Sequence, residues 1–248
     1  NGDGLPDLAV GNEESDDVAV LLGAAGGTFG AAGFYAAGDG AQGVAVGDLD
    51  GNGTADFVVA NLWDSTLSIR LGAGDGTFGA LQTRAVGANP HTLLLADFNG
   101  DGDVDIATAD GSAGTSVLLN LGNGAFGTPT EYLAGINPRD IAAGDFDRDG
   151  DLDLAISNEG GANVSILRGN GNGTFGAATN FAVGAQPQSV SAGDLNGDNK
   201  LDLVVPSAGT STISLLLGNG SGGFSSGSAV PTAGGPTSAR LVDLDLDG

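Results

Sequence analysis

One spacing constrains this chain more than any other feature. The aspartates Asp48, Asp97, Asp145, Asp194 and Asp243, each opening a short acidic loop, follow one another at steps of 49, 48, 49 and 49 residues. A second marker keeps the same register: Thr28-Phe29-Gly30, Thr77-Phe78-Gly79, Ala125-Phe126-Gly127, Thr174-Phe175-Gly176 and Gly223-Phe224-Ser225. Two unrelated markers in one register establish an internal repeat. A repeat means that each unit buries its apolar face against its neighbours.

Within a repeat the pattern is that of four short strands. An apolar segment precedes each acidic loop (Gly43–Gly47, Thr92–Ala96, Ile141–Gly144) and a β-rich run follows it, as in Phe57–Ala60 and Leu203–Val205. The third segment alternates with period two: Leu67, Ile69 and Leu71 face one way, Ser68 and Arg70 the other. A glycine-rich turn carries the Phe-Gly marker into a fourth strand such as Phe175–Val183, and a proline-bearing connection leads onward. No segment keeps a helical period. Four strands per unit of this length predict an all-β fold, a β-propeller of about five four-stranded blades in one domain over 1–248. The glycine-interrupted apolar stretch Val18–Ala37 reads as two strands and a turn, so no membrane insertion is expected.

The fifth loop is split. Asp243, Asp245 and Asp247 end the chain, and Asn1, Asp3, Leu5 and Asp7 open it in the same register. Residues 239–244 are therefore expected to supply the first strand of a blade completed by Leu8–Asn12, Val18–Leu22 and Phe29–Ala36, which would protect the sheet edges. The duplicated register, and a start in mid-motif, suggest a mature product or a piece of a longer array, or linkage between chains.

Each loop places oxygen-bearing side chains at its first, third, fifth and ninth positions, with a turn residue at the sixth. Several carboxylates converged by a sharp turn suit a hard divalent cation. An EF-hand would need a glutamate at the twelfth position, where Val59, Thr108, Ile156 and Val205 stand. Zinc would want His or Cys, and the chain has His 1 and Cys 0. Magnesium prefers a stricter octahedron and keeps its waters. Asx-turns alone would leave three or four carboxylates per loop repelling one another.

These loops, the Phe-Gly markers and the Gly47-Asp48, Gly144-Asp145 and Gly193-Asp194 pairs resemble the FG-GAP repeat family, which includes VCBS-type repeats and the propeller of integrin α-subunits. The resemblance covers essentially the whole chain, although integrin-type propellers have seven blades. It implies structural calcium, about five sites, held by four side chains and one backbone carbonyl, that of the seventh position. The implied ligands are Asp48, Asp50, Asn52, Thr54 and Asp56; Asp97, Asn99, Asp101, Asp103 and Asp105; Asp145, Asp147, Asp149, Asp151 and Asp153; Asp194, Asn196, Asp198, Lys200 and Asp202. The split loop adds Asp243, Asp245, Asp247, Asn1, Asp3, Leu5 and Asp7. In the fourth loop Asn199 replaces the turn glycine; Asn tolerates left-handed backbone geometry, so this site is expected to survive in weakened form, with Lys200 beside it weakening it further.

Lys+Arg 7 against Asp+Glu 31 leaves a net charge of -24, which disfavours nucleic acid. Extracellular calcium modules bind at about 10⁻⁴–10⁻³ M, useful only where calcium is abundant. That places the chain outside the cell, secreted or on the cell surface. No catalytic constellation stands out: Glu13, Glu14, Glu131 and Glu159 are scattered, and His91 follows Pro90 as an exposed turn residue. The expected function is non-catalytic adhesion or ligand binding, of a protein or a carbohydrate, through the varied loops opposite the calcium face. Trp63 is a candidate contact. The alternatives are a subunit that self-assembles through its split repeat, and a lectin-like module of a secreted enzyme.

Overall fold

The computed structural model describes residues 1–112 and 114–242. They are all-β, with no helix. By internal contacts the chain divides into two compact units, Asn1–Glu131 and Tyr132–Gly248.

In the first unit, β1 (Leu8–Asn12), β2 (Asp17–Leu21) and β5 (Gly33–Ala36) form an antiparallel sheet, and β3 (Gly23–Ala24) pairs with β4 (Thr28–Phe29) as a small ribbon between them. A four-stranded sheet follows: β6 (Ala41–Gly47), β7 (Asp56–Asn61), β8 (Thr66–Arg70) and β9 (Gln82–Ala85). The third sheet is β10 (Pro90–Ala96), β11 (Asp105–Asp110), β12 (Gly114–Leu118) and β13 (Thr130–Leu133), on which the chain passes out of the first unit. The second unit contains β14 (Pro138–Gly144), β15 (Asp153–Asn158), β16 (Asn163–Leu167) and β17 (Thr179–Ala182). Its other sheet is β18 (Ser191–Gly193), β19 (Asp202–Ser207), β20 (Thr212–Gly218) and β21 (Phe224–Ser226), with β22 (Val230–Pro231) also on β20. The expected four-strand plan is thus present in the four later sheets, while the first sheet has three strands among the described residues.

The second strand of each full blade is buried along its whole length (β7, β11, β15 and β19). Side chains alternate between the two faces of a strand, so burial of both faces requires apolar residues at every interior position. In β7, Phe57 and Val59 join Val18, Val20 and Ala41 in one core. Val58 and Ala60 on the other face join Leu67, Ile69, Ile106, Leu118 and Phe126 in a second core. In the second unit Phe146, Ala155, Val164, Ile166, Leu203, Val205 and Leu216 form the equivalent layer. Each core therefore lies between successive sheets.

The Phe of the repeat marker carries this packing forward. Tyr35 meets Phe78 edge-on at 5.1 Å, Tyr132 meets Phe175 at 5.5 Å, and Phe181 meets Phe224 at 5.3 Å. In each pair an aromatic on the fourth strand of one blade touches the marker Phe of the next. Such pairs contribute about 0.5–1.5 kcal/mol beyond their buried area. Phe29, on the β3–β4 ribbon, is 45% exposed and is not a packing residue.

Several expectations need correction. First strands begin earlier, at Ala41, Pro90 and Pro138, because proline is tolerated at a strand's first residue and a bulge follows it. His91 is consequently not a turn residue: it is the second residue of β10 and half-buried. Fourth strands are only three or four residues long; Phe78, Phe126 and Phe175 make isolated bridges instead of entering them, while Phe224 opens β21. Four of the turns joining second to third strands are four-residue links, at 13–16, 62–65, 159–162 and 208–211, shorter than the varied loops expected. Residues 239–242 carry no strand; Ala239 O accepts a bond from Ser191 Oγ (3.0 Å). The remainder of the expected closing strand lies outside the described residues.

Candidate metal centre

The acidic loops connect first to second strands, and their shape comes from side chains turned back on the backbone. Asp48 accepts the N–H groups of Gly51 (2.9 Å), Asn52 (3.1 Å) and Gly53 (2.8 Å). Asp145 does the same for Arg148 (2.6 Å), Asp149 (3.2 Å) and Gly150 (3.1 Å), and Asp194 for Gly197 (2.8 Å), Asp198 (3.2 Å) and Asn199 (2.7 Å). Asp97 takes Asn99, Gly100 and Gly102. These N–H groups hold the Asp194 carboxyl below its usual range. For Asp97 burial acts upward, but the three N–H bonds together outweigh it, so its carboxyl too is lowered.

This wrapping needs a left-handed backbone at the fourth and the sixth positions. Gly51 and Gly53 lie at φ 73° and 83°, and Gly100 and Gly102 at 74° and 92°. Arg148 (65°) and Asn199 (62°) hold these positions without a glycine. The fourth-position requirement was not read from the sequence.

The ninth-position acids have a role that needs no cation. Asp56, Asp105, Asp153 and Asp202 are fully buried at the start of the second strand. Asp56 takes the Leu49 N–H (2.7 Å) with one oxygen and the Gly72 N–H (2.6 Å) with the other. Asp105 joins Phe98 to Asn120, Asp153 joins Phe146 to Gly169, and Asp202 joins Leu195 to Gly218 in the same way. Each acid staples the acidic loop to the end of the third strand. Burial raises the Asp56, Asp105 and Asp153 carboxyls, the last to about 6, against the pull of those N–H bonds. In three of these four blades the signal for the staple is the glycine at its far end (Gly72, Gly169 and Gly218; Asn120 stands there in the remaining one): a Cβ at Gly72 would stand 2.1 Å from the Ala55 carbonyl oxygen. A hydrophobic residue beside the first aspartate, buried as Leu49, Phe98 and Phe146, anchors the other end.

Two groups of carboxylates are close enough to hold a metal ion. Oxygens of Asp48, Asp50 and Asp56 lie within 4.8 Å of one another, as do those of Asp145, Asp147 and Asp149. In the second group Asp147 Oδ1 is buried without a hydrogen-bond partner, and Arg168 Nε approaches the other oxygen only to 3.7 Å. A buried, unpartnered carboxylate oxygen is costly unless something positive reaches it. The donor set is all oxygen, which fits calcium. Among the described residues, three acids do not close to that distance in the loops at 97–105 and 194–202. In the former, Asn99 Nδ2 turns inward to Asp101 Oδ2 (2.8 Å); in the latter, Lys200 Nζ meets Asp198 Oδ2 (2.9 Å). Thr54, Asp103, Asp151 and Lys200 occupy the seventh position and bond through N–H to the fifth-position side chain. Asn1, Asp3 and Leu5 keep this turn, with Asp3 N–H on Asn1 and Leu5 N–H on Asp3. Asp7 takes the Gly23 N–H and the terminal amine of Asn1, and both lower its carboxyl, Gly23 foremost. Asp243, Asp245 and Asp247 lie outside the described residues.

Repeats of FG-GAP-like description match residues 1–59, 97–156, 145–205 and 194–248. The chain belongs to the FG-GAP-like repeat family. Solved structures of β-propeller type share the fold of this FG-GAP-like chain. An Agrocybe aegerita lectin that recognises non-reducing terminal N-acetylglucosamine is 24% identical, with a TM-score of 0.59 over 93% of this chain and 67% of its own. The Pseudomonas aeruginosa periplasmic gluconolactonase PpgL is 15% identical, with a TM-score of 0.72 over 98% and 71%. The Vibrio cholerae biofilm matrix protein Bap1 is 20% identical, with a TM-score of 0.59 over 94% of this chain but 37% of its own. No curated protein sequence matches.

A second feature lies at the opposite ends of the strands in the first unit. Three successive N–H groups are taken by side chains: Gly38 by Asn61 Oδ1 (3.1 Å), Asp39 by Asp64 Oδ2 (2.9 Å) and Gly40 by Asp16 Oδ1 (2.9 Å). Trp63 N–H donates to Asp39 O (3.1 Å), and its indole lies on Gly40, where a Cβ would stand 2.4 Å from Cδ1. The ring is nonetheless 58% exposed. Nearby, Gln42 Nε2 donates to Glu13 (3.1 Å) and Gln42 Oε1 faces His91 Nδ1 at 3.3 Å.

Proposed function

We propose that this chain is a calcium-stabilised, non-catalytic recognition module that works outside the cell and binds a protein or carbohydrate ligand on the face opposite its metal loops. The observation that carries the reading is Trp63: a large aromatic whose backbone N–H is held by Asp39 O and whose ring packs on Gly40, yet left mostly in water. A rigid exposed indole contributes contact area at little conformational cost, as interface anchors and sugar platforms do. At the equivalent turn position the other full blades carry Ser112, Gly160 and Gly209, so the anchor is confined to one blade. The net charge of -24 argues against nucleic acid. The Asp48 and Asp145 groups support calcium as the stabilising ion, and the millimolar affinity usual for such sites supports an extracellular setting.

Because Trp63 is the sole tryptophan, its fluorescence reports directly on this corner. Glycan and cell-surface protein arrays identify ligands, which are then titrated while tryptophan emission is followed. The expected result is a shifted emission on binding, and loss of binding in Trp63→Ala with unchanged circular dichroism. Binding that survives the substitution and leaves the emission unmoved would place the ligand elsewhere.

A second reading is self-assembly through the terminal repeat. It is favoured by β1, which pairs only with β2 among the described residues and exposes Leu8 and Val10. Light scattering in calcium distinguishes the two: a single monomeric mass counts against assembly.

A further inference from the structure

The repeated loops are not equivalent, and the loop 194–202 alone among the four full loops carries a lysine at its seventh position. We infer that Lys200 acts as a built-in counter-ion in the loop 194–202, so that this loop keeps its shape without the divalent ion that the loops at Asp48 and Asp145 require. The inference rests on the calcium reading above.

Lys200 stands at the seventh position, where the sister loops carry Thr54, Asp103 and Asp151. Its ammonium is 2.9 Å from Asp198 Oδ2, an oxygen of the fifth-position ligand. The side chain is guided there rather than left to wander, since its stem runs along Gly220, where a Cβ would meet Lys200 Cδ at 3.0 Å. The rest of the loop is already closed. Asp194 takes three N–H groups, and Asp202 staples Leu195 to Gly218. Three acids converge at Asp48, Asp50 and Asp56, and again at Asp145, Asp147 and Asp149, but among the described residues neither here nor at 97–105, where Asn196 and Asn99 replace the third-position acid. What sets this loop apart from 97–105 is the ammonium on Asp198. Arg168 does not play this part for the Asp145 loop: at 3.7 Å it leaves Asp147 Oδ1 buried and unpartnered.

The effect on a metal follows from Coulomb's law. A unit charge about 4 Å from a divalent ion, even in the full dielectric of water, weakens binding roughly thirty-fold. A site of millimolar affinity then stays empty at millimolar calcium. The ammonium thus exchanges metal dependence for permanence at one loop.

Hydrogen exchange read by mass spectrometry tests this on the whole chain, with calcium chloride titrated against a chelator. Amides of Asp48–Asp56 and Asp145–Asp153 are expected to gain protection first, and those of Asp194–Asp202 only at about thirty-fold higher calcium. Lys200→Thr, which installs the residue of the first loop, should bring Asp194–Asp202 into line and add one ion in native mass spectra. Lys200→Arg should behave as the parent does. The proposal is overturned if the parent's Asp194–Asp202 responds at the same calcium concentration as Asp48–Asp56, or if Lys200→Thr changes nothing. A chain in which no loop responds would overturn the calcium reading itself, a result distinct from either.

Discussion

Asp110 gives the sharpest quantitative test of the structure. It ends β11 with 1% of its surface exposed, and it accepts hydroxyl bonds from Thr108 (2.7 Å) and Ser116 (2.6 Å). Burial pushes its carboxyl from 3.8 up to about 6; the two hydroxyls and the Gly87 N–H pull down, and the charge of Glu131 adds to the rise. A carboxyl that holds its proton more tightly when folded stabilises the fold while protonated. That contribution is present below about pH 4 and is lost as pH rises through 6. The rise corresponds to roughly 3 kcal/mol. The sister blades show how to avoid the loss, because Asn61 and Asn158 stand at the same position. Asn61 Nδ2 donates to Thr66 and Ser68 hydroxyls, so an amide suits this pocket. Asp110→Asn should therefore stabilise the chain by about 1–3 kcal/mol at pH 7.5, less whatever is spent reorienting one hydroxyl. At a sensitivity of about 2–4 °C per kcal/mol for a chain of this size, the thermal midpoint rises by several degrees. Calorimetry of both chains from pH 4 to 7.5, at fixed saturating calcium, isolates the residue, since other carboxyls cancel in the difference. The midpoints should converge near pH 4 and separate through pH 6. A difference that does not change with pH, or a variant less stable at pH 7.5, would refute the burial argument.

Three other outcomes follow from the loops. Gly72→Ala drives a Cβ to within 2.1 Å of a backbone oxygen and should cost about 3 kcal/mol in urea unfolding; a loss below about 1 kcal/mol would mean that the strands part easily there. Arg148→Gly removes a left-handed arginine at φ 65° and should gain about 0.5–1 kcal/mol in the same assay. Chelation should lower the thermal midpoint, because each site held at a hundred times its dissociation constant contributes about 2.7 kcal/mol; an unchanged midpoint would remove calcium from the account.

What could be read from the sequence was whatever repeats. The period, the four-strand unit and the acidic loops recur, so chance resemblance cancels and the blade plan emerges. The ninth-position acids were harder, because a carboxylate in a metal pattern already seems explained. Nothing in Asp56 itself announces that both of its oxygens hold backbone N–H groups; only the close backbone approach at Gly72, Gly169 and Gly218 does, and Asn120 breaks even that pattern. Asp110 was overlooked for the opposite reason. It departs from a column of Asn61, Asn158 and Ser207 that lies outside any motif. The turns at 13–16, 62–65, 159–162 and 208–211 read as diverse because their residues differ, while their length and left-handed closing residues Asp16, Ser65, Ala162 and Ser211 do not.

The aromatic hand-over from Tyr35 to Phe78, from Tyr132 to Phe175 and from Phe181 to Phe224 always runs from one repeat to the next. Each contact is completed by a neighbour and none refers to a position further along. A gene segment encoding one such repeat can therefore be duplicated or deleted in frame without breaking the interface chemistry on either side. Arrays of different length become accessible by simple recombination, and a decoration such as Trp63 can be added to one copy while the others keep the scaffold.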